Sequence, residues 1–323
     1  MRERAVIGVD IGGTKTLCAL INERFKLRQY FKFKTSPPDG RPKFMQELGN
    51  SIEMLKRRAA REHLEVVGIG LACAGKVDSE TGKIINAPNV LWLEGFQIGR
   101  ALKRATGLNS VMGNDVQLAL EAEHQLGVAV GCSNVLGVFF GTGVGGAALF
   151  NGKLYRGASG AGGQVGGILA HSLGGADTPE SHGTLDRIAS KAAIAGAALG
   201  MGLKQWAPHL YREVGSDLSK VTWGALARAR KKGDRHIEDL VRSRIRVAAI
   251  TLSSIINFMN PEMLVLGGGL TEELPQLVRS ETEVGLRDYL EPEVKAALKI
   301  KTAQFGNRAG AIGAASLALK KFS

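Results

Sequence analysis

Two stretches far apart in the chain carry the same pattern: an apolar run, a glycine turn and a second apolar run. Val6 to Ile21, VIGVDIGGTKTLCALI, aligns with Val135 to Phe150, VLGVFFGTGVGGAALF, at six identities in sixteen positions. Gly8 matches Gly137, and Gly12 matches Gly141. Each stretch reads as strand, tight turn, strand, so the repeat predicts two related halves that each open on a β-hairpin with a glycine-rich turn. The 323 residues accommodate two domains of roughly 100–200 residues each, with a cleft between them.

Around the first hairpin the pattern is mixed α/β. Phe25 to Lys34 predicts a third strand, ended by Ser36-Pro37-Pro38-Asp39-Gly40. A helix fits from about Lys43 to Arg61, strands fit Val66 to Ala72 and Ser110 to Gly113, and a helix follows Asp115. After the second hairpin the chain is mainly helical. Val241, Ile245, Ala248, Leu252, Ile255 and Met259 recur at spacings of three and four, which gives one long helix an apolar face. MLVLGGGL returns to strand and turn, Lys299 to Phe305 reads as a short strand, and Ala309 to Lys320 as a helix.

Composition removes several classes. With 43 Gly but no three-residue period, and 44% hydrophobic content, the chain is neither collagen-like nor disordered. Its cysteines, Cys18, Cys73 and Cys132, lie far apart with no CxxC pair, so no disulfide framework or cysteine zinc site is legible and a reducing cytoplasm is expected. MRERAVIGVDIGG is no signal peptide, and Ala192 to Leu203 falls well short of the ~20 residues of a membrane span. The formal charge of +12 raises the question of nucleic acid. Its cations fall into scattered clusters, Arg24 to Lys34, Lys56 to Arg61 and Arg228 to Arg235, and not into one stripe. In the first, Phe25, Leu27, Phe31 and Phe33 alternate with cations, as in a half-buried strand with a basic outer face. Solvated faces are expected, and no nucleic-acid partner.

Three glycine loops follow apolar runs: Asp10-Ile11-Gly12-Gly13-Thr14-Lys15, Gly141-Thr142-Gly143-Val144-Gly145-Gly146 and Gly267-Gly268-Gly269. Without a Cβ, backbone N–H groups at such turns can approach phosphate oxygens. Thr14 and Thr142 each offer a hydroxyl, Lys15 a cation, and Asp10 a carboxylate for Mg²⁺, directly or through water. The bland alternative is a set of tight hairpin turns. Two nucleotide motifs fail. Gly141 to Gly146 fits GxGxxG, but a strand-like AALF follows, and the first acidic residue onward is Asp177, too far for a ribose-binding acid. Gly70 to Val77 has Walker spacing but ends in Val77, which has no hydroxyl for magnesium. Asn114-Asp115 sits between a strand and a helix. There Asp115 fits either a general base for a substrate hydroxyl or a helix N-cap, and position alone favours the cap.

VIGVDIGGTKT, AGKVDSETGKIINAPNVLW, GNDVQLALEAEHQLG, FFGTGVGGAALFNGKLYRGASGAGGQVGG, INFMNPEMLVLGGGL and GNRAGAIGAASLA, in this order, resemble the ROK family of bacterial sugar kinases and sugar-responsive repressors over nearly the whole chain. The resemblance implies an α/β, two-domain, actin-like ATPase fold of the ribonuclease-H-like, hexokinase type, with an interdomain cleft. The expected small domain is 1–117 plus 306–323, and the large domain 118–305. By the same resemblance Asp10, Gly12, Gly13, Thr14 and Lys15 form the first phosphate loop, Gly141, Thr142 and Gly143 the second, and Gly267, Gly268 and Gly269 lie near adenosine. Asn89, Asn114, Asp115, Gln164 and Asp186 would contact the sugar, with Asp115 as general base. ATP, Mg²⁺ and a sugar are the implied ligands, and a homodimer the implied assembly.

Departures from the family stand out. Gln164-Val165-Gly166-Gly167 occupies the usual Glu-x-Gly-His element, so an amide replaces a sugar-binding Glu and the zinc-binding His is gone. The cysteine cluster that follows it in the family is missing too, and His171, Asp177, Glu180 and His182 match no zinc spacing, so zinc is not expected. Asp186 stands where the family has a second sugar-contacting Glu, one methylene shorter. The leading expectation is ATP-dependent phosphorylation of a hexose hydroxyl, glucokinase-like with an altered sugar preference. Alternatives are a sugar sensor or regulator with weakened catalysis and a polyphosphate-dependent glucokinase. The first strand is expected to start by Ala5, so the repressors' N-terminal helix-turn-helix is not expected within these residues.

Overall fold

The computed structural model describes residues 2–36, 39–79, 81–87, 90–170 and 183–322. The chain divides into two compact units. The first comprises Met1–Gly127, Gly157–Ala161 and Asn307–Ser323, the second Val128–Arg156 and Gly162–Gly306.

Unit 1 begins with β1 (Arg4–Ile11), β2 (Lys15–Asn22) and β3 (Leu27–Lys34), then α1 (Gly40–Arg61), β4 (Glu65–Cys73) and a small ribbon of β5 (Lys76–Asp78) and β6 (Lys83–Asn86). It continues through α2 (Ile98–Thr106), β7 (Ser110–Asn114) and α3 (Asp115–Leu126). The main sheet has the order β3-β2-β1-β4-β7. Strand β3 starts at Leu27 and not at Phe25, because Phe25 has φ 57° and closes a turn onto the Asn22 carbonyl. From Leu27 to Lys34 exposure alternates strictly, with Leu27, Phe31 and Phe33 half-buried and Arg28, Lys32 and Lys34 exposed, as their spacing predicts. Many of the clustered cations are met by carboxylates: Arg28 and Arg58 pair with Glu62, Arg228 with Glu213, and Arg230 with Glu238.

Unit 2 repeats the plan. Strands β8 (Val135–Phe140), β9 (Val144–Phe150) and β10 (Lys153–Leu154) open it, followed by the short pair β11 (Leu169–Ala170) and β12 (Gly183–Thr184). Helices α4 (Leu185–Ala189), α5 (Lys191–Leu203), α6 (Pro208–Val214), α7 (Trp223–Lys231) and α8 (Arg235–Met259) come next. Then follow β13 (Met263–Gly267), α9 (Gly269–Glu273), α10 (Pro275–Leu286), α11 (Pro292–Ala297) and β14 (Lys299–Thr302). Its sheet order, β10-β9-β8-β13-β14, is that of unit 1 strand for strand: an antiparallel three-stranded meander with two parallel strands beside its first member. The repeat seen in sixteen residues therefore extends to both sheets. The long helix is present as α8, with Val241, Ile245, Ala248 and Leu252 in the core.

The chain ends in α12 (Ala309–Phe322), which returns to unit 1 and packs on β1, β4 and α3. Strand β1 is buried on both faces, so it reads as a continuous apolar run. Ala5, Ile7, Val9 and Ile11 face Phe44, Leu48, Ile52 and Leu55 of α1, while Val6 faces Ala311, Ala315 and Ala318 of α12. The α12 face is made of glycine and alanine because the backbones approach closely. A Cβ on Gly8 would stand 2.1 Å from the Ala311 carbonyl oxygen, one on Gly70 1.8 Å from that of Ala314, and one on Gly313 1.9 Å from that of Leu118. This packing holds α3 in unit 1 up to Gly127, beyond the boundary expected at residue 117, because Leu118 clusters with Ala72 and Ala314. Among the described residues no helix is long and apolar enough to cross a membrane.

Gly70→Ala should cost more than about 2 kcal/mol, since the new methyl overlaps backbone that cannot rotate away. Gly196→Ala on α5 meets nothing within 4 Å and should stabilise by about 0.5–1 kcal/mol through helix propensity. Urea unfolding of the two variants checks both signs.

Candidate active site

In unit 1, β1, β4 and β7 run parallel, with Asp10 and Ile11 level with Ala72 and Cys73, and these level with Gly113 and Asn114. Asp10, Asn114 and Asp115 thus emerge at the carboxyl ends of parallel strands, the edge at which open α/β sheets bind ligands. The turn after Asp10 is held by the Gly12 amide donating to the Lys15 carbonyl at 3.2 Å, and by the Thr35 amide donating to the Thr14 carbonyl at 3.1 Å. Thr14 and Lys15 are exposed, and Gly12 and Gly13 half-exposed. A Cβ on Gly12 would approach only the Lys15 carbonyl, at 3.1 Å, so neighbouring elements do not crowd this turn.

The cap of α3 is Asn114 and not Asp115. Asn114 Oδ1 accepts from the Gln117 amide at 3.0 Å, and its Nδ2 donates to the Gly75 carbonyl at 3.0 Å and to Asp115 Oδ1 at 3.1 Å. Asp115 becomes the first helical residue, its carboxylate released from capping and steered by its neighbour. Burial pushes its carboxyl up, opposed by hydrogen bonds from the Val116 amide, its own amide and the Asn114 side chain. Burial pushes Asp10 up to about 7, with the negative charge of Asp115 adding to the shift. Two half-buried carboxylates therefore share one strand edge. Asp10 also touches the start of α12, where a Cβ on Gly310 would lie 2.7 Å from its carboxyl group. Asn89 lies outside the described residues.

In unit 2 the turn between β8 and β9 is closed by the Gly141 amide donating to the Gly143 carbonyl at 2.8 Å, while the Gly141 carbonyl accepts from the Lys191 amide at 3.1 Å. The nearest atom to a Cβ on Gly141 would be 3.7 Å away, ordinary contact, and Thr142 is exposed. Asp186, on the first turn of α4, accepts from the Val144 amide through Oδ1 at 2.5 Å. Gln164 is exposed, and Gly167 has open space where a Cβ would point. His171, Asp177, Glu180 and His182 lie outside the described residues.

The third glycine loop differs from the other two. A Cβ on Gly267 would meet the Phe139 ring at 2.4 Å, one on Gly268, at φ 85°, the Phe140 carbonyl oxygen at 2.5 Å, and one on Gly269 the Trp223 ring at 2.7 Å. Packing against β8 and α7 therefore accounts for these three glycines without any ligand. Gly70 to Val77 runs from β4 through a turn into β5 with no helix behind it, which removes the Walker reading on structural grounds as well. Gly75 and Gly310, which touch Asn114 and Asp10, escaped the sequence reading. Their only signals were a glycine in a failed motif and a small-residue run in the last helix.

Comparison with known proteins agrees with this architecture. The chain is 27% identical to a glucokinase from Halalkalibacterium halodurans, covering 97% of this chain and 94% of that one. It is 29% identical to an N-acetylgalactosamine kinase from Shewanella, covering 96% and 95%. Among solved structures, a ROK family glucokinase from Streptomyces griseus in complex with glucose and AMPPNP superposes with a TM-score of 0.82 at 26% identity, over 98% of this chain and 99% of that chain. The model of the ROK family matches residues 6–321, from β1 through both repeated sheets to the end of α12. A match that continuous, on an actin-like fold shared at full length, makes the chain a member of the ROK family.

Proposed function

We propose that this protein is a sugar kinase that transfers the γ-phosphoryl group of ATP to a sugar hydroxyl. The observation that carries this reading is the division of labour at the start of α3: Asn114 caps the helix through the Gln117 amide, so the Asp115 carboxylate is not the cap and is held in place by Asn114 Nδ2. In the reaction one Asp115 oxygen takes the hydroxyl proton as the sugar oxygen bonds to the γ-phosphorus and the bond to the β–γ bridging oxygen breaks. Burial pushes the Asp115 carboxyl up, and the hydrogen bonds to its charged form oppose that shift in part.

The turns at Gly12–Lys15 and Gly141–Gly143, the second uncrowded at Gly141 but closed by Asp186 at Gly143, are assigned to the phosphates, with the Thr14 and Thr142 hydroxyls and the Lys15 cation beside them. The segment Gly267–Gly269 is assigned to the adenosine side by the family resemblance alone, since packing already requires its glycines. Asp10 fits magnesium, directly or through water: its burial and the nearby Asp115 charge disfavour a bare carboxylate, which a cation relieves. Bound there, the ion would neutralise phosphate charge. Asn89, Asn114 and Gln164 are assigned to the sugar. Relatives of similar identity act on different sugars by name, a glucokinase at 27% and an N-acetylgalactosamine kinase at 29%, so similarity does not choose the acceptor. Gln164 offers one acceptor oxygen and an NH₂ donor in place of a carboxylate, which favours a hydroxyl pattern other than that of glucose.

Asp115→Ala should lower kcat by about 10²–10⁴-fold across a panel of hexoses and N-acetylhexosamines in an ADP-release assay. Turnover equal to that of the parent would remove Asp115 from the chemistry, and replacing ATP by polyphosphate in the same assay separates the two donors. Gly141→Ala should leave stability within about 0.5 kcal/mol yet raise the ATP KM by about tenfold. Gly268→Ala should instead destabilise by more than about 2 kcal/mol, because its methyl meets the Phe140 backbone. Unfolding curves and ATP titrations of these two variants distinguish a ligand-facing glycine from a packing one.

A further inference from the structure

Asp186 is where the role implied by resemblance and the observed position diverge most. A sugar contact would present its carboxylate to the acceptor. Here Oδ1 accepts from the Val144 amide at 2.5 Å, on the residue that follows the Gly141–Gly143 turn. Both oxygens lie against backbone that has no side chain: a Cβ on Gly143 would stand 2.9 Å from Oδ1, and one on Gly166 2.6 Å from Oδ2. The carboxylate is wedged between the second glycine turn and the short 3₁₀ turn Val165–Gly167 that follows Gln164.

Its own backbone is held as firmly. The Leu185 amide donates to the Ile168 carbonyl at 3.0 Å, Leu185 is fully buried, and β12 pairs with β11 through Leu169 and Thr184. With the main chain anchored, side-chain length decides what the carboxylate reaches. An Asp ends at the Val144 amide; the extra methylene of a Glu would have to occupy the space beside Gly143 and Gly166. The shorter residue and the two glycines form one arrangement.

We propose that Asp186 is a positioning residue that holds the second glycine turn through the Val144 amide, and that it acts on the reaction through the nucleotide phosphates and not as a sugar contact. Its kinetic consequence rests on the kinase reading above, while its structural consequence does not. A carboxylate beside a phosphate-binding turn would repel the ligand if it were free. Engaged by an amide donor, it instead fixes the turn in the shape that leaves the Gly141 and Thr142 region open to the phosphates.

Three variants separate the roles. Asp186→Ala removes the acceptor, Asp186→Asn keeps an Oδ1 that can accept from the same amide, and Gly166→Ala pushes a methyl both at the Val144 carbonyl oxygen, 2.4 Å from its Cβ, and at the carboxylate, so it disturbs the turn with Asp186 intact. Hydrogen exchange of the Val144 amide needs no activity: it should accelerate at least about tenfold in Asp186→Ala and stay within about threefold in Asp186→Asn. Unchanged exchange in Asp186→Ala overturns the proposal whether or not any sugar is phosphorylated. In kinetics, Asp186→Ala and Gly166→Ala should raise the ATP KM at least about fivefold with the sugar KM within about twofold, and Asp186→Asn should stay near the parent. A sugar KM raised about tenfold at constant ATP KM also overturns it, and returns Asp186 to the sugar. If no sugar is turned over, the kinase reading fails on its own and the exchange experiment still decides the latch.

Discussion

The close approach of α12 to β1, β4 and α3 is the constraint on which unit 1 depends. At Gly8, Gly70 and Gly313 a single added carbon would sit about 2 Å from a backbone oxygen, a distance at which the backbones themselves would have to move. Helix and strands can pack this tightly only because both surfaces are nearly bare of side chains. That packing places the start of α12 against Asp10 at the end of β1, and Leu118, one turn into α3, against Ala314. The two carboxylates of the candidate site are therefore positioned by the same small-residue interface. Their spacing is a property of a rigid backbone assembly and not of flexible side chains.

Unit 2 uses the same sheet order with different means. Its helices α8 and α10 are joined by Glu281, 2% exposed, which is met by both Arg242 and Arg246. A carboxylate so deeply placed is tolerated because two guanidinium groups satisfy it, and losing both would leave its charge uncompensated. Its glycines divide by purpose. Gly267, Gly268 and Gly269 are required by Phe139, Phe140 and Trp223, whereas a Cβ on Gly141 would meet only the Gly143 carbonyl oxygen, at the ordinary contact distance of 3.7 Å. Identical residue types at the ends of β8 and β13 thus serve packing in one place and leave room for a ligand in the other.

Much of this was legible beforehand. The six identities between the two hairpins announced a duplication, and both sheets carry it. The alternation in β3 and the three-four spacing in α8 marked the correct faces, since burial follows the period of the backbone. Other features were hidden. Position alone favours Asp115 as the cap of α3 and only the family resemblance makes it a base, whereas Asn114, one residue earlier, reaches the Gln117 amide with its short side chain and takes the cap. The start of β3 and the domain boundary expected at residue 117 differ from the structure, because a left-handed Phe25 and a contact between Leu118 and the distant Ala314 leave no local mark.

By itself the sequence determined the duplication, the α/β class, and the places of Asp10 and of Asn114-Asp115 at strand ends. These follow from local periodicity and residue chemistry, which a linear text preserves. Only the tertiary structure decided which glycines are packing glycines, which residue caps α3, and that the Asp186 carboxylate turns to the Val144 amide. The physical reason is common to all three. A hydrogen-bond acceptor or a missing Cβ has meaning only through the atom that faces it, and here that atom comes from chain brought close by folding.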